Sequence, residues 1–152
     1  MEISIRKAER GDTGLIFRFV CELADYERLS GDVTATPEIL EESLFDKNQA
    51  EAIIAEYNGL PAGFALFFHN FSTFKGRACL YLEDIFVRRE YRGKGVGKAL
   101  FSELIAIAKE RGCDRFDWSV LDWNTPSKEF YRSLGAEEMS DWRIFRLTKD
   151  KY

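Results

Sequence analysis

Three stretches of the chain carry residue types and spacings suited to chemistry. Residues 90–99 read EYRGKGVGKA, where Gly93, Gly95 and Gly97 alternate with other residues, Lys94 and Lys98 flank them and Arg92 leads in. Glycines let main-chain N–H groups turn inward without side-chain interference, and an anion such as pyrophosphate suits such a nest. Residues 78–87 read ACLYLEDIFV, an apolar run broken only by Glu83 and Asp84. Charges in such a run are rarely buried without a partner or a purpose. Residues 123–131 read WNTPSKEFY, placing Tyr131 one helical turn beyond Ser127. Residues at i and i+4 share a helix face, so a hydroxyl pair faces one way while Phe130 and Leu134 form a neighbouring apolar face.

The familiar phosphate motifs fail on the glycine stretch. A P-loop from Gly93 requires a glycine where Lys98 stands and a lysine where Ala99 stands. The dinucleotide fingerprint from Gly93 ends on Lys98, and from Gly95 on Leu100. What remains is strand, then Arg92-x-x-Gly95-x-Gly97, then a helix from Val96 whose unpaired amides and dipole favour an anion. A ligand-free strand-to-helix turn is the alternative. For Glu83 and Asp84 it is an edge-strand salt bridge, with alternation sending the two to opposite faces. For Tyr131 it is a hydroxyl in water.

The elements that must position these residues are legible from periodicity. Residues 2–7 alternate as a strand, and 11–29 follow helical spacing with Asp12 at the cap. Pro37 opens a second short helix. Asn58-Gly59 between two β-prone runs signals a hairpin, and His69–Arg77 reads as the loop before the next long strand, Ala78–Val87. Val96, Leu100, Leu104 and Ala108 mark a helix over 96–111 that Gly112 stops. Phe116–Leu121 reads as a strand, Pro126–Leu134 as a helix capped by Thr125, and Trp142–Leu147 as a final strand. The order β-α-α-β-β-β-α-β-α-β predicts a mixed α/β fold around one twisted sheet, in a single domain over residues 1–152.

Composition narrows the function classes. The net charge of −4 argues against a nucleic-acid binder, and no stretch approaches a membrane span. The start has no signal-peptide shape. Cys21, Cys79 and Cys113 form neither a disulfide framework nor a zinc spacing, and His69 is the sole histidine. The expectation is a cytoplasmic protein with reduced thiols and no metal.

YLEDIFV, YRGKGVGK and WNTPSKEFYRSLG, in this order, resemble the GNAT superfamily of acetyl-CoA-dependent N-acetyltransferases over essentially the whole chain. The most specific parts are R-x-x-G-x-G (Arg92, Gly95, Gly97) and N-x-x-S-x-x-F-Y (Asn124, Ser127, Phe130, Tyr131). ELADYE (22–27), DWNTPSKEFYRSLGA (122–136) and DWRIFRL (141–147) are similar to the spermidine/spermine and thialysine acetyltransferase branch. The resemblance implies that strands splay open at Ile85, Phe86 and Val87, whose main chain pairs with the pantetheine arm. It implies that Arg92, Gly93, Lys94, Gly95, Val96, Gly97 and Lys98 cradle the pyrophosphate, with Asn124, Ser127 and Tyr131 also at the cofactor. It makes Tyr131 the general acid that protonates the departing thiolate and Glu83 the base, directly or through water. It places the amine among Tyr26, Glu27, Glu83, Asp84, Asp117, Trp118, Ser119 and Asp141, and makes a homodimer the expected assembly.

A base is needed because an alkyl amine has a pKa of about 10.4, so at pH 7 roughly one molecule in 2,500 is neutral, a gap of about 4.6 kcal/mol. A carboxylate can accept the proton as the amine attacks, and transfer then needs no covalent enzyme intermediate. Acidic and aromatic groups would attract a polycation, whereas Lys75 and Arg77 would repel a second ammonium. A lysine-like or thialysine-like amino acid therefore fits at least as well as a long polyamine. A protein or peptide N-acetyltransferase and a non-catalytic acyl-CoA sensor are the competing readings.

Overall fold

The computed structural model describes residues 2–152, which divide into two compact units, one running to Ser119 and the other from Val120 to Tyr152. In the first, the turn at Asn58-Gly59 sets the sheet. Both residues have positive φ, 51° and 81°, as a two-residue type I′ hairpin requires. That hairpin joins β2 (Glu51–Tyr57) to β3 (Leu60–Ser72). β1 (Ile3–Lys7) pairs antiparallel with β2, and β4 (Arg77–Val87) antiparallel with β3. β5 (Phe116–Trp118) lies parallel to β4, so the five strands follow one another across the sheet in chain order. This is the expected mixed α/β architecture.

Alternation along the strands builds two apolar layers. Ile16, Phe19 and Leu23 of α1 (Thr13–Tyr26) pack with Ala52 and Ile54 of β2, Phe64 of β3, Phe86 of β4 and Leu44, which follows α2 (Pro37–Glu41). The Phe19 and Phe64 rings stack 5.3 Å apart. The alternate residues Ile53, Ala65, Phe67, Leu80 and Leu82 are buried towards α3 (Val96–Glu110), which contributes Val96, Leu100, Phe101 and Leu104. Each such side chain contributes about 1.5–3 kcal/mol when fully buried. The sheet is thereby clamped between α1 and α2 on one face and α3 on the other.

Four local expectations are corrected. The loop forecast for His69–Arg77 is shorter: His69–Ser72 belongs to β3 and pairs with residues 77–80 of β4. β5 ends at Trp118 instead of Leu121, because its ladder with β4 stops at Leu82–Trp118, where a bulge takes β4 out of register. In the second unit, α4 (Thr125–Ser133) is capped by Asn124, not Thr125. The Asn124 side-chain oxygen accepts the Ser127 N–H at 3.3 Å, and Thr125 is already the first helical residue. Trp142–Leu147 forms no strand. Its alternation would make a strand only against an edge that took its hydrogen bonds, and none of the sheet ladders includes it.

Candidate active site

The bulge is the device that builds the acidic part of the site. Leu66 pairs with Asp84 but the next residue, Phe67, pairs with Leu82, which leaves Glu83 as the extra residue of β4. A one-residue slip exchanges the two faces of a strand. Leu82 therefore faces α3, while Asp84 shares the α1 face with Leu66 and Phe86. Without the bulge, Leu82 and Asp84 would point the same way. Glu83 is exposed at the bulge and Asp84 is half-buried. Burial first, and then the charges of Glu83 and Glu27, push the Asp84 carboxyl up to about 7. Burial also raises Glu27, the C-cap residue that follows α1. Glu27 and Glu83 thus lie near enough for their charges to act on Asp84, an arrangement that a substrate ammonium would relieve.

Beyond the bulge, β4 has an open edge. Its ladder with β3 continues to Gly63–Val87, whereas its ladder with β5 has ended at Leu82. Arg88 N–H donates to Ala62 O, so the main-chain groups of Val87 and Ile85 point to the open side, away from β3. Gly63 is what permits this geometry: a Cβ there would lie 2.4 Å from the Phe86 carbonyl oxygen. Ile85 and Val87 therefore turn main-chain groups to the open side, where Val87 O accepts from Arg92 Nε, while the Phe86 side chain is buried in the core. The chain then runs through a turn in which Gly93 and Gly95 take φ of 75° and 91°. Gly95 caps α3, and the amides of its first turn, from Val96 through Gly97 to Lys98, have no intrahelical acceptor. A Cβ at Gly93 would meet nothing within 4 Å. Open main-chain edge, glycine turn and helix N-terminus are contiguous, and together they fit an extended ligand ending in phosphate.

The basic side chains of this turn have other contacts. Arg92 Nε donates to Val87 O at 2.9 Å, and its guanidinium lies 4.7 Å from the Tyr26 ring centroid and 5.6 Å from that of Phe86. Lys94 Nζ lies 5.6 Å from the Tyr57 ring. Lys98 is exposed on α3.

Of the remaining first-unit residues, Trp118 packs edge-on to Phe101 at 5.1 Å and beside Phe116. Asp117 is engaged by Arg115 at 2.9 Å. Ser119 Oγ and Tyr81 Oη share a hydrogen bond of 3.0 Å. Tyr81 pairs with Phe68 across the sheet, their rings 5.2 Å apart. Its place opposite Leu80 and Leu82 puts it on the face that Asp84 regains after the bulge. Tyr81 escaped the sequence reading, although it is the lone hydroxyl in the run from 78 to 87. Arg77, counted as a repelling charge, is paired with Asp114 at 3.6 Å.

The second unit holds Asn124, Ser127, Tyr131 and Asp141. Asn124 is buried and spends its side chain on the helix cap. Ser127 and Tyr131 are half-buried on one face of α4, and the Tyr131 ring lies 5.9 Å from that of Phe130. Asp141 is exposed in the turn before Trp142.

This geometry can be set beside known proteins. The sequence model of the Acetyltransferase (GNAT) family matches residues 18–136. The chain belongs to the GNAT family of acetyltransferases. Members use acetyl-CoA as the acetyl donor, and this GNAT protein is an N-acetyltransferase. It is 36% identical to thialysine N-epsilon-acetyltransferase of Bos taurus over 95% of this chain and 92% of that one. It is 44% identical to L-ornithine N5-acetyltransferase NATA1 of Arabidopsis thaliana over 59% of this chain and 39% of that one. Its fold matches an integron cassette protein from the mobile metagenome of V. cholerae, with a TM-score of 0.82 and 27% identity, covering 99% of this chain and 95% of the other. Among the described residues, no helix is long and apolar enough to cross a membrane, and no three His, Cys, Asp or Glu side chains group as metal ligands.

Proposed function

We propose that this GNAT protein acetylates the primary amine of a small cationic molecule, a lysine-like or thialysine-like amino acid or a polyamine, with acetyl-CoA as donor. The observation that carries the reading is Asp84, which the bulge turns to the α1 face beside the open end of β4 and whose carboxyl is raised by burial and by the charges of Glu83 and Glu27. Relatives named for thialysine and L-ornithine acetylation support it, since both acceptors are amino acids with a side-chain amine.

Acetyl-CoA supplies the acetyl group as a thioester. The open edge at Ile85 and Val87 holds the pantetheine arm by main-chain hydrogen bonds, with Phe86 packed beneath. The turn from Arg92 to Lys98 receives the pyrophosphate through main-chain amides. Asn124 shapes the start of α4, and Ser127 and Tyr131 present that helix's hydroxyl face to the cofactor. Asp84 and Glu27 attract the ammonium, and Tyr26, Trp118, Ser119, Asp117 and Asp141 complete the acceptor's surroundings. Glu83, exposed to water at the bulge, accepts the proton that the amine loses. Tyr131 gives a proton to the leaving sulfur.

The chain works as one catalytic domain, in the cytoplasm, on a small-molecule acceptor and not on nucleic acid or membrane. The net charge of −4 and three free cysteines support this. The assembly is a homodimer, for which the C-terminal segment offers an apolar surface: Trp142, Ile144, Phe145 and Leu147 are each more than 70% exposed.

The test is thiol release from acetyl-CoA with spermidine, spermine, putrescine, thialysine, lysine, ornithine and a peptide amine. One small amine should drive turnover, and Tyr131→Phe should lower kcat about 10²-fold, the usual worth of a general acid. Tight coenzyme A binding without turnover of any amine would favour a sensor, and turnover of the peptide alone a protein acetyltransferase.

A further inference from the structure

Arg92 belongs to the motif expected to meet phosphate, yet its side chain is bound up with three other groups. Nε donates to Val87 O, 2.9 Å away, at the end of the open β4 edge. The guanidinium covers the ring of Tyr26, the last residue of α1, at 4.7 Å and reaches that of Phe86 at 5.6 Å. Four residues earlier, Arg88 makes the corresponding tie to the middle of α1. It donates to both Glu22 carboxylate oxygens, at 3.1 and 3.0 Å, and lies 4.7 Å from the Phe19 ring. Two arginines from the β4–α3 connection thus bind successive parts of α1, and the Arg92 tie falls beside Glu27.

We propose that Arg92 is a positioning residue that couples the two substrate sites, holding the Tyr26–Glu27 corner of α1 against the cofactor-facing edge of β4. The proposal rests on the amine-acetylation reading above. A planar guanidinium can hydrogen-bond a carbonyl through its edge while stacking an aromatic ring on its face. A lysine ammonium supplies charge but not that combination. Arg92 therefore affects the amine by fixing where Tyr26 and Glu27 stand, without touching the amine.

Arginine as a phosphate cation and arginine as a clamp respond differently to Arg92→Lys. Steady-state kinetics on Arg92→Ala and Arg92→Lys, with the best amine of the panel, should show the amine KM raised about five- to tenfold in both variants, a change of the size expected for losing a stacked cation. The acetyl-CoA KM should recover in part with lysine. In a Tyr26→Leu background, Arg92→Ala should raise the amine KM no further. Recovery of both KM values by lysine, or an amine KM that Arg92→Ala leaves unchanged, overturns the proposal. Hydrogen exchange on the full chain without substrates gives a second readout. The amides of Glu27, Arg28 and Leu29, bonded to Leu23, Asp25 and Ala24, should exchange several-fold faster in Arg92→Ala, with the β2–β3 hairpin unchanged. If the wild type acetylates no amine, the functional reading falls while this arm still decides the clamp: unchanged exchange overturns it.

Discussion

Two groups of carboxylates in the same unit behave in opposite ways. At the β1–β2 end of the sheet, Asp12 takes both guanidinium arms of Arg6 at 2.8 Å, and that hydrogen bonding lowers its pKa. Glu51 takes Arg111 at 2.6 and 2.9 Å, and its pKa also falls. Arg111 in turn donates to His69 Nε2 at 3.0 Å, and His69 Nδ1 is bonded to Cys79 O. At the bulge, Asp84 and Glu27 are raised, by burial and, for Asp84, by like charges. The residue types are the same. The difference is whether an arginine of this chain lies across from the acid, and a carboxylate raised by its neighbours is poised for a cation from outside.

The strongest way to break the comparison is Asp84→Asn. A carboxyl whose folded-state pKa lies above its ordinary value binds its proton more tightly in the folded protein. Its contribution is favourable in acid and is lost as pH rises from 3.8 through about 7. The variant should therefore gain stability over the wild type as pH rises from 3.8 through about 7, with a ceiling of roughly 4 kcal/mol at about 1.36 per pKa unit. Its affinity for the amine should fall. Denaturant titrations across that range measure the first effect, and a parallel pH dependence in both proteins would remove Asp84 from the site's charge balance.

A smaller effect separates backbone placement from charge. Gly63→Ala puts a Cβ 2.4 Å from the Phe86 carbonyl oxygen, and backbone cannot yield as a flexible side chain can. The expected cost is about 1–3 kcal/mol, the range for overpacking. Weaker acetyl-CoA binding should accompany it, read by calorimetry, because the same strand segment carries the open edge. Unchanged binding would uncouple β3–β4 packing from the cofactor.

The smallest effect belongs to the paired end. Glu51 is about one-third exposed, so Glu51→Gln should cost only about 0.5–1 kcal/mol at pH 7. Because the Glu51 pKa is lowered, its contribution is present at neutral pH and disappears in acid, so variant and wild type should converge as pH falls through the lowered Glu51 pKa. Neither substrate KM should move. A change in the amine KM would show that the two carboxylate groups are not independent.

Most of the elements were legible because each rests on local rules. Asn58-Gly59 demands a tight hairpin, Pro126 and Gly135 bracket α4, and the four-residue apolar spacing of 96–108 makes α3 whatever surrounds it. The glycine turn was legible for the same reason, since positive φ at Gly93 and Gly95 is a property of the residues themselves. Trp142–Leu147 shows the limit: its alternation is real, but a strand exists only through a partner's hydrogen bonds.

The sequence by itself determined the mixed α/β class, the hairpin, the helix-capped glycine turn and the motifs that mark the family. Only the tertiary structure decided which way the acids face and which of them are already spent. Strand alternation turns Glu83 and Asp84 to opposite faces, but a bulge is defined by the strand across from it, so its re-aiming of Asp84 towards Glu27 appears only once Leu66 and Phe67 are in register. Likewise nothing local distinguishes Asp117, which Arg115 holds, from Asp84, whose carboxyl the fold surrounds with other acids. Charge pairing is a long-range outcome of packing, and the chemistry of this site depends on it.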